Sequence, residues 1–219
     1  MMSHTPSPSA ALAGIPSGLQ AQGLWAGRRQ LFVRFAAEAE TATMYTAEAL
    51  AGEIRRGISG SAFHSISISG RDPLANVEYI CAVFDKASPS IPVMLDDDGQ
   101  RPEAIHELRA FLTLAQFTVD GPAGEPQAER VFESLEAASK AGIDQALVLN
   151  VDERTTDAHV LRLIERAHGA SATASVVVHP GAGIPVDRDR RWTILFERAV
   201  AVHRDVRFVL RLPPPTGMR

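Results

Sequence analysis

The sequence has little cysteine, because only Cys81 among its 219 residues carries a thiol. One thiol cannot close a disulfide within the chain. It also falls short of the several thiolates that zinc and iron–sulfur sites take from one protein. Val77, Cys81 and Phe84 follow helical spacing, so the sequence predicts that Cys81 is a small apolar side chain packed along a helix.

Long apolar runs and dense basic stretches are also missing. No run approaches the roughly 20 residues of a membrane-spanning helix, and the formal net charge is -4 without a Lys/Arg stripe. Nucleic acid and anionic lipid need a local positive field, so we expect neither as a partner. Residues 1–18 are rich in Ser, Pro and Ala, which is unlike a secretory signal. We expect a disordered leader there, then a single domain over residues 19–219 in the cytoplasm.

Short apolar runs alternate with amphipathic segments along the rest of the chain, which is 45% hydrophobic and 22% charged. The runs predicted as strands are residues 31–35, 63–69, 92–96, 115–119, 145–151, 174–179 and 206–212. Between them, Thr46 can cap a helix, Pro126 suits a first helical turn, and residues 160–167 and 192–200 each form an apolar stripe. The alternation predicts an α/β fold, with a mostly parallel sheet and outer helices, either doubly wound or a partial barrel.

In both folds a ligand site lies at the carboxyl ends of the strands. Polar residues follow several predicted strands there. The acids of residues 96–98 could bind a divalent cation or form a solvated turn, although the calcium-loop pattern does not fit. His179 could be a base, a metal ligand or a hydrogen-bonded structural residue. Asp72 could bind an amine, or Arg71 could neutralise it.

Six segments, in chain order, resemble motifs of the 7-carboxy-7-deazaguanine synthases. These are radical S-adenosylmethionine enzymes of the queuosine pathway that ring-contract a carboxylated tetrahydropterin. Residues 19–35 resemble the family's Gln-Gly-Glu-Gly entry loop and Phe-Val-Arg strand. Residues 67–74 resemble its Thr-Gly-Gly-Glu-Pro-Leu motif, which holds the methionyl amino group of the cofactor. The other four matches lie at residues 95–100, 118–122, 176–180 and 206–219.

The resemblance implies a partial (β/α) barrel of the radical S-adenosylmethionine type. Such enzymes carry Cys-x-x-x-Cys-x-x-Cys directly after the Phe-Val-Arg strand, but residues 36–43 here read AAEAETAT. Arg71 replaces the second Gly of the cofactor motif, and Gln22, Gly121 and His179 replace the family's Glu, Lys and Gln. We therefore expect a degenerate relative without a 4Fe–4S cluster, another metal or S-adenosylmethionine chemistry.

The function expected from this pattern is binding or regulation rather than radical catalysis. The alternative is an enzyme that reuses the pocket for cluster-independent chemistry on a purine-like, pterin-like or S-adenosylmethionine-like ligand. A homodimer, or a heterodimer with an intact relative, is also expected from the family. The candidate ligand-binding residues are Gln20, Gln22, Ser69, Gly70, Arg71, Asp72, Asp96, Asp98, Asp120 and His179.

Overall fold

The computed structural model describes residues 7–120, 125–181 and 190–210, and these residues form ten strands and five α-helices. The strands are β1 (Ser9–Gly14), β2 (Ser17–Leu19), β3 (Arg29–Phe35), β4 (Thr43–Thr46), β5 (Ser65–Gly70), β6 (Val93–Asp97), β7 (Leu114–Asp120), β8 (Asp144–Val151), β9 (Ser175–Pro180) and β10 (Val206–Phe208). The helices are α1 (Ala47–Ser59), α2 (Val77–Ala87), α3 (Glu125–Lys140), α4 (Asp157–Ala170) and α5 (Arg190–Val202).

All ten strands belong to one sheet, in the order β10-β9-β8-β7-β6-β5-β3-β1-β4, with β2 paired to β3. Every neighbouring pair from β3 to β10 is parallel, and the pairs that involve β1, β2 or β4 are antiparallel. A helix or a 3₁₀ turn connects each parallel strand to the next, as parallel pairing requires. The predicted α/β fold with a mostly parallel sheet is confirmed.

The two faces of the sheet differ in chemistry because side chains alternate along each strand. On one face Ile66 and Ile68 of β5 join the large apolar core that the helices cover. On the opposite face, which we call the polar face, β5 carries Ser65, Ser67 and Ser69. Parallel strands buried on both sides are usually apolar throughout. The serine alternation therefore marks the polar face as the side of the sheet where a site can be built.

The predicted disordered leader is wrong for residues 9–18, since β1 and β2 lie there. Ala10 and Leu12 alternate with exposed neighbours and are buried, and β1 pairs with both β3 and β4. The physical reason is the edge of β3, whose backbone groups need a partner on the side away from β5. Residues 1–6 lie outside the described part of the chain.

Several predicted boundaries shift by a few residues. The strand predicted over residues 63–69 begins at Ser65, and the strand predicted over 206–212 ends at Phe208, with residues 211 and 212 outside the described ranges. Thr46 caps α1 as predicted, because its hydroxyl accepts from the Ala49 N–H at 3.2 Å. Phe196 and Val200, which belong to the apolar stripe predicted over residues 192–200, are exposed. Within the described residues, no helix is both long and apolar enough to cross a membrane.

Candidate functional site

Asp96 lies at the centre of a hydrogen-bonded network on the polar face. The register of the sheet places it beside Gln116 of β7, whose Nε2 donates to Asp96 Oδ1 at 3.2 Å. Gln20 Nε2 donates to the other carboxylate oxygen, Oδ2, at 3.1 Å. Gln20 and Gln116 are almost fully buried, whereas Asp96 is half-buried. Two amides therefore fix the orientation of a carboxylate that solvent still reaches.

The segment over residues 20–28, which we call the entry loop, lies across the polar face. The Leu24 N–H donates to Gln116 Oε1 at 3.0 Å, and Gln22 Nε2 donates to Thr118 Oγ1 at 3.4 Å. The apolar part of the loop covers the small apolar patch of this face. That contact joins Leu24 and Trp25 to Met94, Leu114 and Ala146. The network that orients Asp96 thus also holds the entry loop in place.

His179 is held by both of its ring nitrogens. The Gly23 N–H donates to Nε2 at 2.8 Å, and the ring lies 2.6 Å from the Val209 carbonyl oxygen through Nδ1. A nitrogen that accepts a backbone N–H carries no proton, so Nδ1 carries it and donates to Val209. The side chain is only 1% exposed. These contacts give His179 a structural task, which is to tie the entry loop to β9 and to the segment after β10.

Replacing Gly23 by alanine should lower the free energy of unfolding by about 2 kcal/mol, because strain and a clash add at this position. Gly23 has φ +80°, and a Cβ there would lie 1.9 Å from Gln116 Oε1. To relieve that clash, the Gln116 side chain would have to move and lose its hydrogen bonds with the Leu24 N–H and the Asp96 carboxylate. Gly142→Ala is the control, since Gly142 has φ +73° and nothing within 4 Å of the added Cβ. Urea titration should show a larger loss of unfolding free energy for Gly23→Ala than for Gly142→Ala. Equal losses in the two variants would contradict the prediction.

Asp72 is paired with Arg101, and not with Arg71, which was one of the two alternatives from the sequence. Arg101 Nε donates to Oδ1 at 2.9 Å and Oδ2 at 3.1 Å, and Arg101 Nη2 donates to Oδ2 at 2.9 Å. Arg71 is exposed, and its backbone N–H donates to the Phe35 carbonyl. The alternative in which Arg71 neutralises Asp72 does not hold, because the carboxylate of Asp72, whose backbone is left-handed at φ 42°, pairs with Arg101 instead. The bidentate ion pair leaves Asp72 poorly placed to bind an amine.

The three acids that end β6 have separate environments. Asp96 lies on the polar face, and Asp97 is directed to the helix side, where it is 6% exposed and accepts from the Gly99 N–H at 2.7 Å. The pKa of Asp97 is raised to about 7, chiefly by burial and to a smaller extent by the neighbouring carboxylates, while the hydrogen bond from Gly99 acts in the opposite direction. Asp98 is half-buried, and its Oδ1 has no partner among the described residues. Across those same residues, no three His, Cys, Asp or Glu side chains are grouped to hold a metal ion.

The stretch after β3, where the resembled family carries its cysteines, is a short turn closed by its own residues. Glu40 accepts from Arg34 Nη2 at 3.3 Å and from the Ala37 N–H at 3.4 Å, and β4 begins at Thr43. Cys81 lies elsewhere, on α2, partly packed against the apolar core as predicted, with its thiol directed to the Glu107 carbonyl at 3.7 Å. Burial raises the pKa of Cys81, which disfavours the thiolate that iron requires. These residues do not fit an iron–sulfur cluster.

The carboxyl ends of the parallel strands lie along one edge of the sheet, which we call the carboxyl edge. There the register aligns Asp120, Asn150 and His179 on adjacent strands. Asn150 Nδ2 donates to Asp120 Oδ1 at 2.8 Å. Of the predicted site residues, Gln20, Gln22, Asp96, Asp120 and His179 therefore take part in hydrogen bonds on the polar face. Ser69 shares that face, Gly70 is the last residue of β5, and Arg71 and Asp72 lie in the turn that follows. Gly121 lies outside the described ranges.

Sequence reasoning missed four residues that build this site. Gln116, Thr118 and Asn150 each interrupt an otherwise apolar strand, and a lone amide within a buried run is a signal that could have found two of them. Arg101 carried no such signal, because its pairing with Asp72 depends on the meeting of two loops.

Replacing Ser67 by alanine should raise the free energy of unfolding by about 1 kcal/mol, because a buried hydroxyl without a partner costs roughly 1–3 kcal/mol. Ser67 is fully buried, and its Oγ has no hydrogen-bond partner in the part of the chain that the structure describes. Ser65→Ala is a matched control two residues away, since the Ser65 hydroxyl accepts from Gln30 Nε2 at 2.8 Å. That variant should lose stability, and a loss in both would refute the prediction for Ser67.

Part of the chain is similar in sequence to a known protein. No protein-family model matches the chain. Over 100 residues it is 32% identical to the 7-carboxy-7-deazaguanine synthase of Methanothermobacter thermautotrophicus, a match that covers 39% of this chain and 39% of that protein. The chain therefore matches well under half of the synthase, and the finding amounts to a distant relationship.

Two solved structures show a partial likeness to the chain, each with a TM-score under 0.5. The type I 3-dehydroquinate dehydratase of Clostridium difficile, with covalently modified comenic acid, is 11% identical, with 72% of this chain and 68% of that chain covered and a TM-score of 0.44. The 3-keto-D-glucoside 4-epimerase of E. coli, in its apo form, is 14% identical, with 83% and 92% covered and a TM-score of 0.33.

Proposed function

We propose that this protein is a ligand-binding relative of the 7-carboxy-7-deazaguanine synthases, with a partial (β/α) barrel and no iron–sulfur cluster. The observation that carries the proposal is the contrast between two places at the carboxyl edge of the sheet. The turn after β3 has no thiolate, whereas the polar face keeps the network of Gln20, Asp96 and Gln116. A scaffold that has lost its redox group but retains buried polar side chains suits binding better than radical chemistry.

The cysteine content supports the loss of the radical reaction. Reductive cleavage of S-adenosylmethionine requires a low-potential cluster bound by several thiolates. This sequence offers only Cys81, which lies on α2 with its thiol directed to a backbone carbonyl. No step of the proposed function therefore runs through a cluster or through S-adenosylmethionine.

A cluster-independent enzyme is the second candidate, and the observation in its favour is the Asp96 carboxylate, which two amides orient on the half-buried polar face. A carboxylate held in this way can accept a proton from a bound ligand. This candidate would act on a purine-like, pterin-like or S-adenosylmethionine-like ligand in or near 7-deazapurine metabolism. The engagement of both His179 nitrogens counts against it, because the histidine of the described site is then not available as a base.

Ligand binding can be tested by thermal unfolding with S-adenosylmethionine, pterins, purines and divalent cations. A ligand at 100 times its dissociation constant stabilises the folded state by about 2.7 kcal/mol. We expect at least one small molecule to raise the melting temperature, and Asp96→Asn to abolish that rise. Glu136→Gln is the control, since it removes the same charge from the exposed side of α3. No response to any compound would contradict the proposal.

Association with another chain is a further part of the proposal. The resemblance to a commonly dimeric family supports a homodimer or a heterodimer with an intact synthase. Light scattering on the purified chain, alone and after co-expression with an intact relative, measures this directly. A strictly monomeric chain that does not co-purify with the relative would count against a regulatory subunit.

A further inference from the structure

Two histidines meet at the amino end of the parallel strands, opposite the carboxyl edge. His168 lies in the last turn of α4, which leads to β9, and His203 directly follows α5, shortly before β10 begins. Their Nδ1 atoms are 3.2 Å apart, and the two rings lie at 76° to each other. The pair leaves no signal in the sequence, because 35 positions separate the two histidines.

The backbone holds the ring of His203 in one tautomer. Its Nε2 lies 2.5 Å from the Ala174 carbonyl oxygen, which can only accept, so Nε2 carries the proton and donates it. The Nδ1 of the neutral ring is therefore unprotonated, and it is directed to His168. Histidines that bind a metal ion almost always donate their other ring nitrogen to a carbonyl or a carboxylate in this way. Because His203 is only 1% exposed, this ligand is oriented before any ion arrives.

His168 is exposed, so an ion can reach the pair from solvent. Its Nδ1 can donate a proton to His203 Nδ1, or the proton can reside on Nε2, which leaves two unprotonated nitrogens facing each other. In the second tautomer one shared cation satisfies both nitrogens. Two nitrogens at roughly 2.0–2.1 Å from one tetrahedral Zn²⁺ lie about 3.3 Å apart. The observed separation of 3.2 Å agrees with that value.

A carboxylate lies near the pair but is engaged by other groups. Asp205 is within electrostatic reach of His203, and its Oδ2 accepts from the Ser175 hydroxyl at 2.5 Å. Arg207 Nε pairs with Oδ1 of the same carboxylate at 3.1 Å. Asp205 therefore contributes negative charge to the surroundings of the pair, and water would complete the coordination of an ion.

We propose that His168 and His203 together bind a divalent transition-metal ion, such as Zn²⁺. Imidazole nitrogen suits zinc, copper and nickel, whereas calcium and magnesium prefer oxygen ligands. With two protein ligands, such a site binds its ion reversibly and more weakly than a closed four-ligand zinc site. A bound ion would join the end of α4 to the end of α5, next to β10, which ends the strand order. The inference does not depend on the proposed function.

Isothermal titration of the full chain with zinc chloride tests the proposal. We expect one ion per chain, and at least tenfold weaker binding in His168→Ala, which removes an exposed ligand and should leave the fold intact. His106→Ala is the control, because His106 is also exposed but is directed to the Glu103 carbonyl and should not affect binding. Absence of zinc binding, or wild-type affinity in His168→Ala, would show that the pair is an ordinary hydrogen bond and would overturn the inference.

Thermal unfolding distinguishes this site from the candidate site at the carboxyl edge. Zn²⁺ should raise the melting temperature of the wild type and of Asp96→Asn by the same amount, because the two sites lie at opposite ends of the strands. Loss of that rise in Asp96→Asn would place the ion at the candidate site and overturn this inference. Failure of every organic compound to bind would contradict the proposed function and leave the histidine site unaffected.

Discussion

Replacing Gly70 by alanine will destabilise the protein by about 3 kcal/mol or more, the largest loss we expect from a single methyl group. Gly70 has φ +103°, and an added Cβ would lie 2.2 Å from the Phe35 carbonyl oxygen and 2.6 Å from the Phe35 nitrogen. Both atoms belong to the backbone of β3, which pairs with β5 in the sheet. A side chain could rotate away from such a clash, but a backbone bonded into two neighbouring strands cannot.

The control for this prediction is Gly169→Ala on α4. The added Cβ meets nothing within 4 Å, and alanine favours a helix over glycine by up to about 1 kcal/mol. Chemical denaturation should show Gly169→Ala unchanged or more stable, and Gly70→Ala largely unfolded or strongly destabilised. Wild-type stability in Gly70→Ala would show that β3 and β5 do not meet in this way.

This prediction also bears on the resemblance at residues 67–74. Gly70 matches the first glycine of the resembled cofactor motif, but its close packing against Phe35 is a sufficient structural reason for a glycine at this position. The second glycine of that motif is not retained, and Arg71 occupies its place as an exposed side chain. Gly70 alone is therefore no evidence that the cofactor still binds.

Replacing Asp97 by asparagine will remove a loss of stability that the wild-type protein suffers as the pH rises through neutrality. Burial raises the pKa of Asp97 in the folded state to about 7, against about 3.9 in the unfolded chain. A raised folded-state pKa contributes stability that is complete below pH 4 and lost as pH rises through 7. The linkage relation gives a loss on the order of 3 kcal/mol between pH 5 and pH 8.

The asparagine side chain of the Asp97→Asn variant does not titrate and can still accept from the Gly99 N–H, so this variant should lack the loss. The difference in unfolding free energy between Asp97→Asn and wild type should therefore grow in favour of the variant from pH 5 to pH 8. Asp85→Asn, at an exposed position of α2, is the control and should follow the wild type. Parallel pH profiles for Asp97→Asn and wild type would show that Asp97 is not buried as described.

The sequence predicted the fold where periodicity was strong. The alternation of Leu31, Val33 and Phe35 and the apolar run at residues 145–151 gave β3 and β8 to within two residues. It failed at β1, since SAALAG carries little apolar area and becomes a strand only because β3 offers an unpaired edge. It also failed at Phe196 and Val200, because α5 lies at the side of the sheet where β10 ends the strand order and neighbours cover only part of the helix.

The position of the site could be predicted from the sequence, but the hydrogen bonds and ion pairs of its residues could not. The strand-end rule placed Asp96, Asp120 and His179 at one edge, where they lie. The sequence did not reveal that His179 Nε2 accepts a hydrogen bond from the Gly23 N–H, or that Arg101 instead of Arg71 pairs with Asp72. Each of those contacts joins segments that are far apart in the chain or depends on a left-handed backbone residue, and neither feature leaves a periodic signal.

The most direct test of the account is the iron and sulfide content of the full chain after anaerobic reconstitution, with an intact synthase treated in parallel. A protein with the single thiol of Cys81 on α2 should retain well under one iron per chain and show no charge-transfer absorbance. The intact synthase should reach about four iron and four sulfide per chain. Four iron per chain in this protein, with cleavage of S-adenosylmethionine on reduction, would contradict the central claim that it binds a ligand without radical chemistry.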